Sequence, residues 1–307
     1  MATFRTVLFY AFAPVADPAA VRLWQRELAG RWNLTGRVIV APHGINATLG
    51  GRVEDLKQYV KGTRQYPGFE RLDVKWAAGT GEDFPRLSVK VRPELVAFGA
   101  PDAVRLGPDG IEGGGTRLDA DGLDALVAER GGDVVMLDGR NAYEASIGRF
   151  RGAFVPDVTT SRDFLGEIEA GRWDHLKDRA VVTYCTGGVR CEVLSVLLKD
   201  RGFAEVYQMD GGIVRYVEAR GASGLWDGSL YVFDGRGHVE AAGARSLGRC
   251  ERCGSSTARF ENCADAGCRT ERLVCEDCAA GTAEERCPTC VGERPTGWVA
   301  REGVGVR

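Results

Sequence analysis

The first 95 residues alternate between short apolar runs and amphipathic stretches. The predicted strands span residues 6–12, 37–41, 45–49, 72–76 and 87–91, and the predicted helices span 18–31 and 54–61. Helical spacing of Val21, Trp24 and Leu28 supports the first helix. The resulting β-α-β-β-α-β order is typical of a ferredoxin-like α+β sandwich, which we predict for residues 1–95.

A different pattern begins at Leu118. Asp119 is positioned to cap a short helix, and fully apolar runs at 134–137 and 181–184 are typical of buried parallel strands. A helix over 189–199, a strand over 206–209 and a helix over 213–219 follow. Strands that alternate with helices predict a parallel α/β sheet. We therefore predict an α/β chain whose central domain spans 118–224 and follows a glycine-rich linker over 96–117.

Cysteine dominates the remaining region, residues 225–307. Eight of the ten cysteines lie in 241–307, a segment without lysine and with little apolar periodicity. Such a segment has too little core to fold by burial alone. We therefore expect a small cysteine-rich region there.

Composition narrows the class of protein. With 307 residues, 44% hydrophobic and 27% charged, the chain is not collagen-like, disordered or a coiled coil. No apolar run has the length of a membrane span, and residues 7–13 fit a first strand better than a signal peptide. We expect a cytoplasmic protein with reduced thiols and no membrane partner. The sequence carries no G-x-G-x-x-G fingerprint and no other flavin or nicotinamide motif, and its three widely separated histidines argue against a two-histidine iron site.

Cys185 is the candidate catalytic residue. The apolar strand ends at this cysteine, and a loop of Thr186, Gly187, Gly188, Val189 and Arg190 follows. Two glycines let backbone N–H groups turn toward the sulfur, the next helix directs its N-terminus there, and we expect Arg190 to supply charge at the rim. These influences favour a nucleophilic thiolate over an inert, buried structural cysteine.

The loop from Cys185 to Arg190 resembles the active-site loop of rhodanese domains. Residues 138–141 (Asp-Gly-Arg-Asn) with Glu144, the stretch 148–153 and the turn 210–213 resemble other rhodanese signatures. The strings Y-C-T-G-G-V-R-C-E, H-G-I-N-A-T-L-G-G and F-P-R-L-S-V-K-V-R together resemble the bacterial oxygen-dependent tRNA uridine(34) hydroxylases. His43 and Gly139 depart from that family's pattern, and the role of His43 is left open.

That resemblance implies hydroxylation of the wobble uridine of tRNA to 5-hydroxyuridine, with O2 as co-substrate and Cys185 essential. Cys185 would either add to C6 of the uracil ring or carry an oxidised sulfur species. A rhodanese-type sulfurtransferase that cycles through a cysteine persulfide is the main alternative, and an idle binding module is a third. Four residues between Cys185 and Arg190, against five in related phosphatases, disfavour a phosphatase.

Three nearby residues have two interpretations each. By the rhodanese resemblance, Asp138 and Arg140 order the active-site loop, and otherwise they form a surface ion pair. Cys191 either resolves an oxidised Cys185 or is a plain core cysteine.

The downstream cysteines form four closely spaced pairs. Three pairs have the Cys-x-x-Cys spacing, which places two thiolates on one edge of a zinc tetrahedron. Eight ligands fit two structural zinc sites, with disulfides and iron–sulfur clusters as alternatives. Spacing does not assign the pairs to sites. The predicted ligands are Cys250, Cys253, Cys263, Cys268, Cys275, Cys278, Cys287 and Cys290.

Charge is distributed unevenly although its total is only -3. Residues 1–95 carry 14 Lys+Arg against 9 Asp+Glu, whereas residues 96–240 carry 16 against 24. A basic domain beside an acidic one suits delivery of tRNA to Cys185, although a merely solvated basic face is the alternative. The electron donor and the oligomeric state are not indicated. The candidate tRNA-binding residues are Arg22, Arg26, Arg31, Arg37, Arg52, Lys57, Lys61 and Arg64.

Overall fold

The computed structural model describes residues 3–108, 110–240, 243–265, 267–268, 270–281, 286–287 and 290. In these residues no helix is both long enough and apolar enough to cross a membrane. The chain forms an N-terminal sheet domain, a central parallel-sheet domain and a cysteine-rich region.

The N-terminal domain has one mixed sheet covered by two helices. Its strands have the order β4-β1-β3-β2-β5, and β5 runs parallel to β2 while the other neighbours are antiparallel. This arrangement confirms the ferredoxin-like prediction, although the fourth strand begins at Lys75 and the buried Leu72 precedes it. The elements are β1 (Phe4–Phe12), α1 (Pro18–Arg31), β2 (Thr35–Ala41), β3 (Gly44–Arg52), α2 (Val53–Thr63), β4 (Lys75–Ala78) and β5 (Leu87–Val91).

The two faces of this sheet have different neighbours. Val7 and Phe9 of β1 belong to a core that includes Val21 of α1 and Leu56 of α2. Because side chains alternate along a strand, the even-numbered residues of β1 point away from both helices, toward the central domain. The helices and the central domain therefore lie on opposite faces of the sheet.

The segment 96–117 is not a free linker. Val96 and Phe98 are buried in a core that spans both domains, and Thr116 begins the edge strand of the central sheet. Burial of these apolar side chains offsets the flexibility that the glycines confer. Its strands are β6 (Leu106–Gly107), β7 (Gly110–Ile111) and β8 (Thr116–Leu118).

The central domain has a four-stranded sheet of order β8-β12-β11-β9, parallel throughout, as predicted. Asp119 caps the first helix, and its side chain accepts a hydrogen bond from the N–H of Gly122 at 2.8 Å. The elements are α3 (Ala120–Arg130), β9 (Val134–Asp138), α4 (Ala142–Ile147), β10 (Gly148–Phe150), α5 (Asp163–Glu169), β11 (Ala180–Tyr184), α6 (Val189–Asp200), β12 (Glu205–Met209) and α7 (Gly212–Arg220).

The cysteine-rich region begins with strands that join the central domain. β13 (Trp226–Tyr231) pairs with β10 and with β14 (His238–Glu240). The hairpin of β15 (Phe260–Asn262) and β16 (Glu271–Leu273) follows, and then α8 (Glu276–Gly281). Ile147 of the central domain packs with Tyr231 and Leu273, so the region shares a small core with that domain.

Candidate active site and metal centres

Cys185 lies at the carboxyl end of β11, where the loop to α6 folds around its sulfur. The N–H of Gly188 donates to Sγ of Cys185 at 3.2 Å. Gly188 has a φ of +98°, a conformation that glycine adopts without steric cost, and it is the N-cap of α6. Val189 begins the helix and packs against the interdomain core. The α6 N-terminus therefore faces the sulfur, as predicted.

The other glycine of the loop, Gly187, packs closely against the N-terminal domain. A Cβ at Gly187 would lie 2.4 Å from Cδ2 of Leu8, which belongs to β1 of the N-terminal domain. The loop carbonyls are held from the other side, because the N–H of Ile213 donates to the Cys185 carbonyl at 3.0 Å and that of Val214 to the Thr186 carbonyl at 3.1 Å. The loop is thus held between α7 and the N-terminal sheet.

The surroundings of Cys185 favour its thiolate. Burial raises the pKa of this thiol, but a hydrogen bond from Cys191, the charge of Arg190 and backbone N–H groups outweigh burial and lower the pKa to about 6. Burial and the neighbouring Cys185 raise the pKa of Cys191 well above its ordinary value. Cys191 therefore keeps its proton and donates a hydrogen bond to the Cys185 sulfur.

Arg190 is not at the rim, where the sequence placed it. It is buried, and its Nη1 and Nη2 donate to Oε1 and Oε2 of Glu144 at 2.6 and 2.9 Å. Nη2 also lies 3.4 Å from Oγ1 of Thr186. A buried guanidinium needs such a carboxylate, because an unpaired charge away from water is costly. Sequence reasoning noted Glu144 only within a signature and missed this pairing.

Asp138 and Arg140 form a buried ion pair, so the surface interpretation is wrong. Both side chains are 0% exposed, and Nη2 of Arg140 lies 2.6 Å from Oδ2 of Asp138. Arg140 also donates to the carbonyl of Gly148 at 2.7 Å, and the hydroxyl of Tyr184 donates to Asp138 at 2.7 Å. Tyr184 immediately precedes Cys185, so this pair anchors the strand that carries the cysteine.

The N-terminal domain forms one wall of the site, which the sequence did not reveal. The hydroxyl of Tyr10 donates to Oε1 of Glu192 in α6 at 2.8 Å. Burial and the charge of Glu192 raise the pKa of Tyr10 well above its ordinary value, so the hydroxyl stays protonated. Glu192 also accepts from Gln208 at 3.1 Å and pairs with Arg117 at 2.6 Å. This network joins the first strand of the chain to the helix that follows Cys185.

His43 has a structural position. Its ring stacks on Phe12 at a centroid separation of 5.8 Å, and its Nε2 accepts a hydrogen bond from the N–H of Leu95 at 3.2 Å. Burial lowers the pKa of His43, which favours the neutral form that accepts this bond.

The candidate tRNA-binding residues do not share one surface. Six of them lie on, or directly after, the two helices that cover the far face of the N-terminal sheet, and the structure separates them from Cys185 by that sheet. They are Arg22, Arg26, Arg31, Lys57, Lys61 and Arg64. In the strand register, Arg37 lies opposite Thr48 and Arg52 lies opposite Phe4. Both arginine side chains therefore point to the face of the sheet that carries Leu8 and Tyr10.

Tertiary structure resolves how the cysteines group. One group contains Cys250, Cys253, Cys275 and Cys278, and the other Cys263, Cys268, Cys287 and Cys290. Each group therefore combines alternate pairs along the chain, and its sulfur atoms lie within 4.8 Å of one another.

The sulfur spacing fits a tetrahedral metal ion. Zn–S bonds of about 2.3 Å imply S···S separations of about 3.8 Å. The separations are 3.6 Å for Cys253 and Cys275, 3.9 Å for Cys263 and Cys290, and 3.6 Å for Cys268 and Cys287. Two groups of four cysteines could thus each hold a metal ion.

Family models match most of the chain. Residues 4–95 match the UPF0176 acylphosphatase like domain, residues 120–219 the rhodanese-like domain, and residues 227–291 the rhodanase C-terminal model. These matches agree with the predicted fold class.

Curated relatives resemble the chain over nearly its full length. The tRNA uridine(34) hydroxylase of Corynebacterium kroppenstedtii is 60% identical over 93% of this chain and 97% of its own length. Its counterpart in Kocuria rhizophila is 59% identical over 94% of this chain and 97% of its own length. That of Rhodococcus jostii is 60% identical over 92% of this chain and its whole length. The chain belongs to the tRNA uridine(34) hydroxylase family.

Proposed function

We propose that this protein hydroxylates C5 of uridine 34 in tRNA and that Cys185 is its essential residue. The observation that carries the proposal is the backbone cradle of Cys185, whose Sγ accepts the N–H of Gly188 at 3.2 Å, within a chain 60% identical to named hydroxylases of this specificity. These surroundings lower the pKa of Cys185 to about 6. At neutral pH most of the Cys185 thiol is then ionised, and the thiolate is the nucleophilic form.

The thiolate supplies the activation that uracil C5 needs. Addition of Sγ to C6 forms an S–C6 bond and moves the C5–C6 π electrons to C5, which becomes nucleophilic toward O2. One oxygen atom remains on C5, and the other leaves as water after two electrons and two protons arrive from an external donor. Loss of the C5 proton then expels the thiolate and restores the C5–C6 double bond.

The tRNA would approach the face of the N-terminal sheet that carries Leu8. Four residues lie opposite one another in the register of four neighbouring strands, and their side chains therefore point to the same side of the sheet. They are Leu8, Thr48, Arg37 and Ser88. At a strand spacing of about 4.8 Å, Arg37 is about 10 Å from Leu8. Exposed Arg37 and Lys90 would contact phosphates near the nucleotide bound at Cys185, whereas the helix residues would contact more distant parts of the tRNA.

We further propose that the metal in each cysteine group is Zn²⁺ with a structural role, since four thiolate ligands leave no position for substrate. The free thiols and the tRNA substrate suit the cytoplasm.

The decisive experiment is complementation of a deletion strain with the wild-type gene or Cys185→Ser. Mass spectrometry of tRNA nucleosides should detect 5-hydroxyuridine and its derivatives with the wild type and a strong loss with Cys185→Ser. Equal levels in the deletion and wild-type strains would contradict the proposal. Rapid thiosulfate-to-cyanide sulfur transfer by the purified protein, with no hydroxylation, would favour the sulfurtransferase.

A further inference from the structure

An exposed aromatic ring lies beside the catalytic loop. Among the described residues, the large apolar side chains classed as exposed are Leu23, Val91, Phe233 and Val239. Phe233 follows β13 and is 40% exposed, and Cζ of Arg190 lies 5.8 Å from the centroid of its ring. Arg190 is the last residue of the loop that follows Cys185 and contacts Thr186, so the ring lies directly beside that loop.

The backbone on both sides of Phe233 is anchored. The N–H of Gly235 donates to the carbonyl of Asp83 at 2.7 Å, and Nη1 of Arg236 donates to the carbonyl of Ala78 at 2.6 Å. These bonds attach the turn to the N-terminal sheet, while β13 pairs with β10 of the central domain. Phe233 therefore lies at the junction of the two domains that form the site.

The ring is also supported from beneath. Tyr231 meets Phe233 nearly edge-on at a centroid separation of 5.0 Å, and Tyr231 is packed in the same manner against Tyr143 and Phe260, each at 5.3 Å. Tyr143 adjoins Glu144, the partner of Arg190. The Phe233 ring is therefore held in a fixed position while 40% of the residue stays exposed to solvent. This exposed part is not packed against the protein and is available to a ligand.

We propose that Phe233 is the stacking surface for a nucleobase of a single-stranded RNA loop, the uracil presented to Cys185 or its immediate neighbour. This inference rests on the proposed function, which supplies the RNA. Proteins recognise unpaired loop bases by stacking them on aromatic rings, and the exposed ring of Phe233 offers such a surface beside the loop. Stacking depends little on base identity, so the platform provides affinity and orientation while the chemistry at C5 provides selectivity.

The test measures binding of an anticodon stem–loop RNA in a Cys185→Ser background, and hydroxylation of the same RNA by the otherwise unmodified protein. Phe233→Ala should raise both the Kd and the KM about tenfold, the effect expected for loss of one stacked base. For Phe233→Trp both constants should stay near the wild-type values. The matched control is Val239→Ala, which changes a side chain of equal exposure (39%) on the adjacent strand and should have no effect.

Several outcomes would overturn the inference. One is a Kd for Phe233→Ala within twofold of that of the Cys185→Ser parent. That result would show that the ring does not bind the RNA and would favour another ligand, such as a protein. Another is an equal loss with Phe233→Trp, and a third is a shifted pH profile of Cys185 alkylation in Phe233→Ala, which would indicate a structural role at the loop. If RNA binding depends on Phe233 but no 5-hydroxyuridine forms, the proposed function fails while the stacking site stands.

Discussion

Replacing Cys191 with alanine tests how the thiolate of Cys185 is stabilised. Cys191 is buried and donates a hydrogen bond to Cys185, and the pKa of Cys185 is about 6 with that bond in place. A hydrogen bond to a charged group contributes about 1.5–3 kcal/mol, and one pKa unit corresponds to about 1.4 kcal/mol. The variant should therefore raise the pKa of Cys185 by about 1–2 units.

The consequence is a rate that depends on pH. At pH 7 the ionised fraction of Cys185 should fall from about nine tenths to between about one half and one tenth, so alkylation should slow about two- to tenfold. At pH 9 or above the variant and the wild type should react at nearly equal rates, because both are then mostly thiolate.

The assay is a pH series of iodoacetamide labelling, with the Cys185 peptide quantified by mass spectrometry. Cys191→Ser is the matched control, since its hydroxyl also donates a hydrogen bond and should keep the profile close to that of the wild type. An unchanged profile for Cys191→Ala would refute the assigned cause of the low pKa. Slowing by the same factor at every pH would instead show that access, rather than ionisation, had changed.

Three further predictions address the domain contact, the metal centres and the RNA surface. Tyr10→Phe removes the hydroxyl bound to buried Glu192 and should lower the free energy of unfolding in urea by about 1.5–3 kcal/mol; an unchanged midpoint would contradict this. Cys263→Ser disrupts one cysteine group and should reduce zinc, measured by elemental analysis, from about two ions per chain to about one, whereas unaltered zinc would contradict the grouping. Arg37→Glu should weaken tRNA binding more than Lys61→Glu, which changes a charge on the far face of the sheet; equal losses in a binding titration at matched salt would place the RNA elsewhere.

Local patterns were sufficient for most of the elements. The helix over Pro18–Arg31 and the strand over Leu87–Val91 have the predicted limits. Asp17 caps the helix at its first residue, and the spacing of apolar residues within each segment is local information. The loop from Cys185 to Arg190 was also predictable from local sequence, because its two glycines lie between a buried strand and a helix.

These local patterns did not predict where the charged side chains lie in the folded protein. Composition identified the N-terminal domain as basic, but it did not show that Lys61 and Arg37 lie on opposite faces of the sheet. Nor did it show that Arg190 faces inward, because the carboxylate that allows its burial, Glu144, comes from a different element far away in the chain.

The sequence by itself determined the order of the elements, the candidate reactive cysteine and the eight candidate metal ligands. Each of these depends on residues within a few positions of one another. Tertiary structure alone decided that alternate cysteine pairs share a site, that Leu8 and Tyr10 cover the loop around Cys185, and that Phe233 stands open beside it. These contacts join segments up to 182 residues apart, and their geometry follows from the packing of whole domains, which no local pattern records.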